Sequence, residues 1–403
     1  MNPEENTLLK KKRRDLIKAI EEKRNSKLIV FLTSDRPNLG FSITTDVVPI
    51  LHKHILAIED AKRSKIDLLL YSRGGHSDVP WTIVSMFREY FNGSFCVLLP
   101  YKAHSAATLI AIGADEIVMT KKAELGPIDI TINNGPYNQR DEKTGDRLPI
   151  SVEDVTGYFD LFNKMGCERP EEKLRGLEQL TERVHPMALG MVSRILEQTE
   201  LIALRLLGTR VKPFTEEKNK EIVRRISEIY SHSHTISRTE AIQQLGLKQI
   251  VKAEDIGISE ELWSLYEEYN TLFQLNKPFM PEEYLVTNNL DENTWHNLYL
   301  ACVESISRFD TYQKSLRVRR LKQSQPQVTL NISNIAFPAI NIPQLPPDVT
   351  SEQIRKIVEK IVSAQFQSIV NNAVKVAVNE FLKALPSAGF EHISFKSSWI
   401  EED

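Results

Sequence analysis

Leu68-Leu69-Leu70-Tyr71-Ser72-Arg73-Gly74-Gly75 is the stretch that decides the fold. It closes the run Ile66–Tyr71, whose apolar residues do not alternate with polar ones, the mark of a strand covered on both faces. Gly-Gly ends that run, because glycine accepts positive φ and lets the backbone turn with its N–H groups exposed. The same grammar repeats on either side. Leu28–Leu32 is another continuous apolar strand, and Thr45–Lys62 has a helical pattern. Beyond the glycines, Val79–Tyr90 reads as a helix and Phe95–Leu99 as a strand closed by Pro100. His104–Gly113 reads as an apolar helix and Ile117–Met119 as a strand. Strands alternating with helices imply right-handed βαβ units and a parallel sheet.

The chemistry sits where these strands end. In Lys102-Ala103-His104-Ser105-Ala106-Ala107-Thr108-Leu109, Ser105 follows a strand and opens a helix. A serine there is ordinarily an N-cap. The same place also gathers free N–H groups and the positive end of the helix dipole. A hydroxyl presented there can attack a carbonyl, with the Ala106 N–H and those of Gly74 and Gly75 facing the resulting oxyanion. Downstream lie Gly113-Ala114-Asp115-Glu116-Ile117-Val118-Met119 and Leu125-Gly126-Pro127-Ile128-Asp129.

In this order and spacing the three segments resemble the Clp/crotonase superfamily, and within it the serine dehydrogenase proteinase family, related to Clp protease and signal peptide peptidase A. The resemblance covers about residues 8–250. It implies an α/β fold, a Clp/crotonase-like spiral of parallel βαβ units, with Ser105 as a protease nucleophile. Gly74, Gly75 and Ala106 are then the oxyanion donors. Two departures stand out. The family's Ser-Ala-Gly is Ser105-Ala106-Ala107, and its Ser-Pro-Gly-Gly is Ser72-Arg73-Gly74-Gly75. Ala107 is tolerable where φ is negative; Arg73 adds a charge near the cleft.

The proton acceptor is less marked. The resembled family uses Ser, Asp and His in chain order, which here fits Ser105, then Asp129 or Asp154, then His185, with His232 and His234 as rivals. Each has a plainer reading: His185 as a helix cap, Asp129 as a turn residue, Asp154 as a first-turn carboxylate. His104 is adjacent to Ser105, and neighbouring helical side chains point apart. A Ser–Lys dyad is the alternative, with a desolvated Lys143 or Lys164 as base.

Residues 1–25 read as a charged N-terminal helix and 26–250 as the protease-like core. A helical extension is expected over 251–324, with helical patterns at Glu260–Phe273 and Glu292–Leu321. Residues 325–349 read as a Pro-rich linker and 350–403 as a C-terminal helical segment. Its apolar stripe over Ser351–Leu385 is long enough to want a second copy as cover, so a homo-oligomer is expected. The C-terminal region is therefore read as mainly helical. With 26% charged residues and a net charge of -3, no global field favours nucleic acid. The basic runs Lys10–Arg14 and Arg317–Lys322 read as solvated helix faces. Three scattered cysteines suggest neither disulfide framework nor metal site. Neither a signal segment nor a membrane span is evident, which points to the cytoplasm. No cofactor is implied, and without a Walker loop any ATP dependence would come from a partner. The expected function is a serine peptidase acting on peptide or protein. A catalytically inactive scaffold and a crotonase-like acyl-CoA enzyme are the alternatives.

Overall fold

The structure is a computed structural model that describes residues 3–128, 131–132, 135–142, 145–167, 169–228, 234–323 and 349–402. The chain divides into two units. The first comprises Met1–Phe279, His296–Ser315 and Phe395–Asp403; the second comprises Met280–Trp295 and Leu316–Ser394.

The first unit is built on parallel strands β1 (Lys27–Thr33), β2 (Ile66–Tyr71), β3 (Phe95–Leu99), β4 (Glu116–Met119) and β5 (Ile250–Lys252). Three strands from the C-terminal third complete the sheet: β6 (Glu292–Glu304), β7 (Phe309–Lys322) and β8 (Ser387–Glu401). The order is β5-β4-β3-β2-β1-β6-β7-β8. β6 pairs antiparallel with β1, Val30 opposite Glu304 and Thr33 opposite Ala301.

Both faces of the central strands are covered, which is why they read as unbroken apolar runs. Ile29 and Phe31 of β1 face α2 (Val47–Leu56), α3 (Val79–Tyr90) and α4 (Ala106–Ile112). Leu28, Val30 and Leu32 face the other core, whose helical residues include Ile17, Leu265 and Phe273. Those belong to α1 (Pro3–Arg24) and α10 (Ser259–Phe273). The second half of the core region folds as α5 (Val152–Lys164), α6 (Pro170–Thr181), α7 (Pro186–Gly208), α8 (Glu216–Glu228) and α9 (Arg238–Gln243). A capping box of Ser237 and Glu240 opens α9, and Gly246 takes φ 73° beyond that helix.

The second unit holds α11 (Pro281–Thr287), α12 (Ser351–Ala384) and the outer parts of β6, β7 and β8. The helix expected over Glu292–Leu321 is a correction: these residues form β6 and β7, joined at Ser305–Arg308. Leu316 and Val318 are buried while Arg317 and Arg319 are exposed, a period of two. The basic run there lies on a strand, with Lys322 paired to Asp291 at 2.8 Å. Residues 387–401 are likewise strand, not helix. All but the last residue of the expected linker, 325–348, lies outside the described residues.

Within the first unit, His54 is fully buried between Ser305 Oγ (2.8 Å from Nδ1) and Asp310 Oδ2 (3.0 Å from Nε2). Burial, reinforced by the nearby Arg308 charge, pushes its imidazole down to about 3 from 6.5. Between those values the unfolded chain binds a proton that the folded chain refuses, so stability present above pH 6.5 is lost as pH falls. Asp310, whose carboxyl burial pushes up, protonates early in the fold and offsets part of that loss at the acid end. The thermal midpoint is expected to fall as pH drops from about 6.5 to 4.5, above the usual carboxylate range. His54→Gln should flatten that slope in pH-resolved thermal scans.

Candidate active site

Ser72 is buried at the end of β2, its Oγ 2.7 Å from Thr33 Oγ1. It extends the strand by two bonds: its N–H donates to Lys102 O (3.1 Å), and its carbonyl accepts from His104 N–H (3.0 Å). This clamp carries Lys102–Ala103 alongside and delivers Ser105 against the Gly-Gly turn. Lys102–Ala103, Glu124–Leu125 and Ile236–Ser237 form a small three-stranded sheet, bringing together three segments distant in sequence.

Ser105 has φ 50° and ψ −117°. That is the backbone of a type II′ turn's first central position, normally a glycine's place. Its side chain caps no N–H of α4, so the plain N-cap reading does not hold. A strained serine between strand and helix is the kind of turn that carries the nucleophile in other hydrolases. The helix behind it is fixed by Thr108, whose hydroxyl reaches Ala103 O and Gly126 O, both at 2.8 Å. Ala107 is buried in α4 and is absent from the positive-φ residues, so alanine fits there without strain.

The glycines are required sterically. Gly74 has φ +103°, and a Cβ there would meet His104 O at 2.6 Å, Ser105 Cβ at 2.7 Å and Ala106 N at 3.0 Å. A Cβ on Gly75 would strike the Ile43 backbone at 2.2 Å. Gly75→Ala is expected to lower the thermal midpoint by more than ~8 °C, because backbone lies on the receiving side. Differential scanning calorimetry reads this. The Gly74 N–H already donates to Ser72 Oγ at 2.9 Å. The Gly75 and Ala106 N–H groups donate to no partner among the described residues. Two of the three expected donors thus remain available.

Next to the Ser72–Gly75 turn lies a polar cluster that sequence reading missed. Asp35 accepts from Tyr71 Oη (2.7 Å) and Lys102 Nζ (2.9 Å), and pairs with Arg73 Nε at 3.3 Å. Burial opposes its ionisation, but the Lys102 ammonium and the Tyr71 hydroxyl hold its carboxyl below the ordinary range. Arg73 thus turns its guanidinium toward Asp35. His104 turns to Glu124, Nε2 to Oε1 at 3.1 Å, with its ring over Gly126.

The candidate bases are placed as follows. His185 is an exposed N-cap of α7, stacked on Tyr137 at 4.9 Å, with Nδ1 accepting the Met187 N–H at 3.1 Å. An accepting Nδ1 puts the neutral ring's proton on Nε2, so neither nitrogen offers a free lone pair in this arrangement. Asp154 lies in the first turn of α5, as a first-turn carboxylate should. Lys164 is exposed at the end of α5, without the desolvation a lysine base requires. His234 pairs with Glu240 at 3.1 Å. Asp129, Lys143 and His232 lie outside the described residues. No group of three His, Cys, Asp or Glu residues able to hold a metal occurs among the described residues. None of their helices is long and apolar enough to cross a membrane.

The strand–Gly-Gly turn and the strained serine both fall inside one matched segment. Residues 1–156 match the ClpP-like SDH-type serine proteinase family. Two curated relatives are similar, both from Methanocaldococcus jannaschii. Uncharacterized protein MJ1495 is 30% identical over 156 residues, 35% of this chain and 52% of that protein. Uncharacterized protein MJ0137 is 25% identical over 263 residues, 63% of this chain and 77% of that protein. The chain thus spans about half the length of the first. Among solved structures, a membrane-bound stomatin-specific protease in complex with a substrate peptide has 15% identity and a TM-score of 0.32, covering 56% of this chain and 75% of its own. ClpP1 from Listeria monocytogenes has 13% identity and a TM-score of 0.30, covering 60% and 98%. The ClpP-like SDH-type match spans β1 to β4, the glycine turn and Ser105.

Proposed function

We propose that the chain is a serine peptidase in which Ser105 attacks a peptide carbonyl and the Gly75 and Ala106 N–H groups receive the oxyanion. The observation that carries this reading is the backbone of Ser105, held at φ 50° in a region that non-glycine residues rarely adopt. The Gly75 and Ala106 N–H groups, without partners among the described residues, supply what a tetrahedral intermediate needs. The reaction class follows: attack by Oγ forms the acyl-enzyme and expels the amine, and water then hydrolyses the ester. The match to a ClpP-like serine proteinase family supports the same class.

The base is proposed as His185 oriented by Asp129, with Lys143 or Lys164 as the competing dyad partner. His185 has to release the Met187 N–H before it can accept a proton, and Lys164 has to lose its water. A homo-oligomer is proposed as the working form, supported by the exposed Ile357, Phe366 and Val376 along α12. The inactive-scaffold reading draws on the engaged His185 nitrogen.

A fluorophosphonate probe separates the two readings. Wild type should label and Ser105→Ala should not. Equal failure of both, in folded protein, sinks the peptidase proposal in favour of the scaffold. If wild type labels, His185→Gln and Lys143→Ala should differ, and the variant that loses labelling names the base.

A further inference from the structure

At the edge of the sheet opposite Ser105 lies a cavity of ≈ 370 Å³. Ser105 and the glycines follow the C-terminal ends of parallel strands. The cavity is lined instead by residues at the N-terminal ends: Ser94 before β3, Asp115 and Glu116 at the start of β4, and Gln249 before β5. Arg210, just beyond α7, together with Lys212 and Lys248, completes its polar wall.

The charges here are unbalanced. Asp115 is consumed by other partners: Arg88 at 2.6 and 3.1 Å, the Phe95 N–H at 2.9 Å and the Val211 N–H at 2.7 Å. Glu116 is held by Arg24 at 3.0 Å and Lys65 at 3.4 Å. Arg210 is only 8% exposed, yet its Nε and Nη1 have no hydrogen-bond partner among the described residues. Its guanidinium lies 4.2 Å from the Phe214 ring centroid, which holds it in place without neutralising it. Gln249 is 6% exposed, and both its amide nitrogen and its amide oxygen are unpartnered. Lys212 and Lys248 are exposed at the rim and make no ion pair among the described residues. Buried polar groups are almost always satisfied, so a cavity wall carrying an unpaired guanidinium and an unpaired amide is built to meet something polar.

We propose that this cavity binds a small anionic ligand bearing a phosphoryl or carboxylate group. Arg210 meets the charge from inside, Lys212 and Lys248 close on it from the rim, and the Gln249 amide reads a neighbouring donor or acceptor on the ligand. The volume suits a small organic anion rather than a peptide. This site does not depend on the reading of Ser105, because it shares no residue with it.

The test is calorimetric titration of the full chain with inorganic phosphate, pyrophosphate and citrate. Saturable binding of at least one probe is expected. Lys212→Ala/Lys248→Ala should weaken it at least ~10-fold, since two charge-assisted hydrogen bonds are lost. Both lysines are exposed, so the double variant should fold with an unchanged thermal midpoint in the absence of ligand. Arg210→Met, which keeps an apolar stem against Phe214, should abolish binding. A preference for pyrophosphate identifies a phosphoryl ligand and a preference for citrate a carboxylate. A cavity that holds only water would show no saturable binding of any probe. That result, or binding that both variants leave unchanged, overturns the proposal.

Discussion

Ser105→Gly is expected to abolish fluorophosphonate labelling and, at the same time, to raise conformational stability by ~1 kcal/mol. A non-glycine residue in a sparsely populated backbone region costs ~1–3 kcal/mol, and glycine removes that cost. Glycine also enlarges the unfolded ensemble, which takes back ~0.5–1 kcal/mol. Ser105→Ala retains its Cβ at φ 50° and gains nothing. Urea midpoints of wild type and the two variants therefore separate two roles of one residue. Both variants should lose peptide hydrolysis by ~10⁴-fold or more, as removal of a nucleophile does. Only glycine should gain stability. If glycine is no more stable than alanine, the backbone at 105 is not strained, and the main support for a presented nucleophile goes with it.

Glu304→Ala should cost ~3–5 kcal/mol, the penalty for orphaning a buried ion. Glu304 is fully buried and accepts from Arg13 Nε and Tyr269 Oη, both at 2.7 Å. Arg13 is 1% exposed, with its guanidinium 4.6 Å from the Phe309 ring centroid and 5.5 Å from that of Tyr269. Without the carboxylate, that charge has no acidic partner among the described residues, where its Nη1 and Nη2 already make no hydrogen bond. The phenol of Tyr269, which burial and the adjacent carboxylate keep protonated, loses its acceptor as well. Denaturant unfolding should show a lowered midpoint with little change in slope. Arg13→Met/Glu304→Leu should recover most of the loss, because an apolar pair of similar volume needs no counter-charge. A double variant as weak as Glu304→Ala would show that packing, and not the orphaned charge, sets the cost.

The parts of the fold that could be read from sequence share one physical trait. Ile66–Tyr71, Val79–Tyr90 and Phe95–Leu99 match their observed limits because each has a single pattern and a sharp stop. Strands β6 and β7 lack both. Leu298–Val303 is an unbroken apolar run that fits helix or strand alike, and the turn Ser305-Ile306-Ser307-Arg308 has no glycine or proline to announce it. The alternation Leu316-Arg317-Val318-Arg319 was the available signal for a strand. At the candidate site, Ser105 and the glycines stood out by local spacing. The φ of Ser105 did not, because the clamp from Ser72 that imposes it is tertiary. The Asp35–Tyr71–Lys102 cluster is assembled across 67 positions and leaves no local trace. The engagement of the Gly74 N–H by Ser72 Oγ was equally invisible, since both residues belong to a turn whose conformation sequence does not fix.

The antiparallel pairing of Val30 with Glu304 also has a consequence for biosynthesis. A strand near the start of the chain waits for a partner more than 250 residues later, and Lys10 bonds to the carbonyl of Glu402 later still. During synthesis the open edge of β1 is exposed until residues 301–304 have left the ribosome. Contacts of such sequence separation form slowly, and an unpaired strand edge is a template for association with other chains. Nascent chains stalled before residue 300 should therefore be the species that chaperones hold and proteases remove. Chains completed through β7 should escape both.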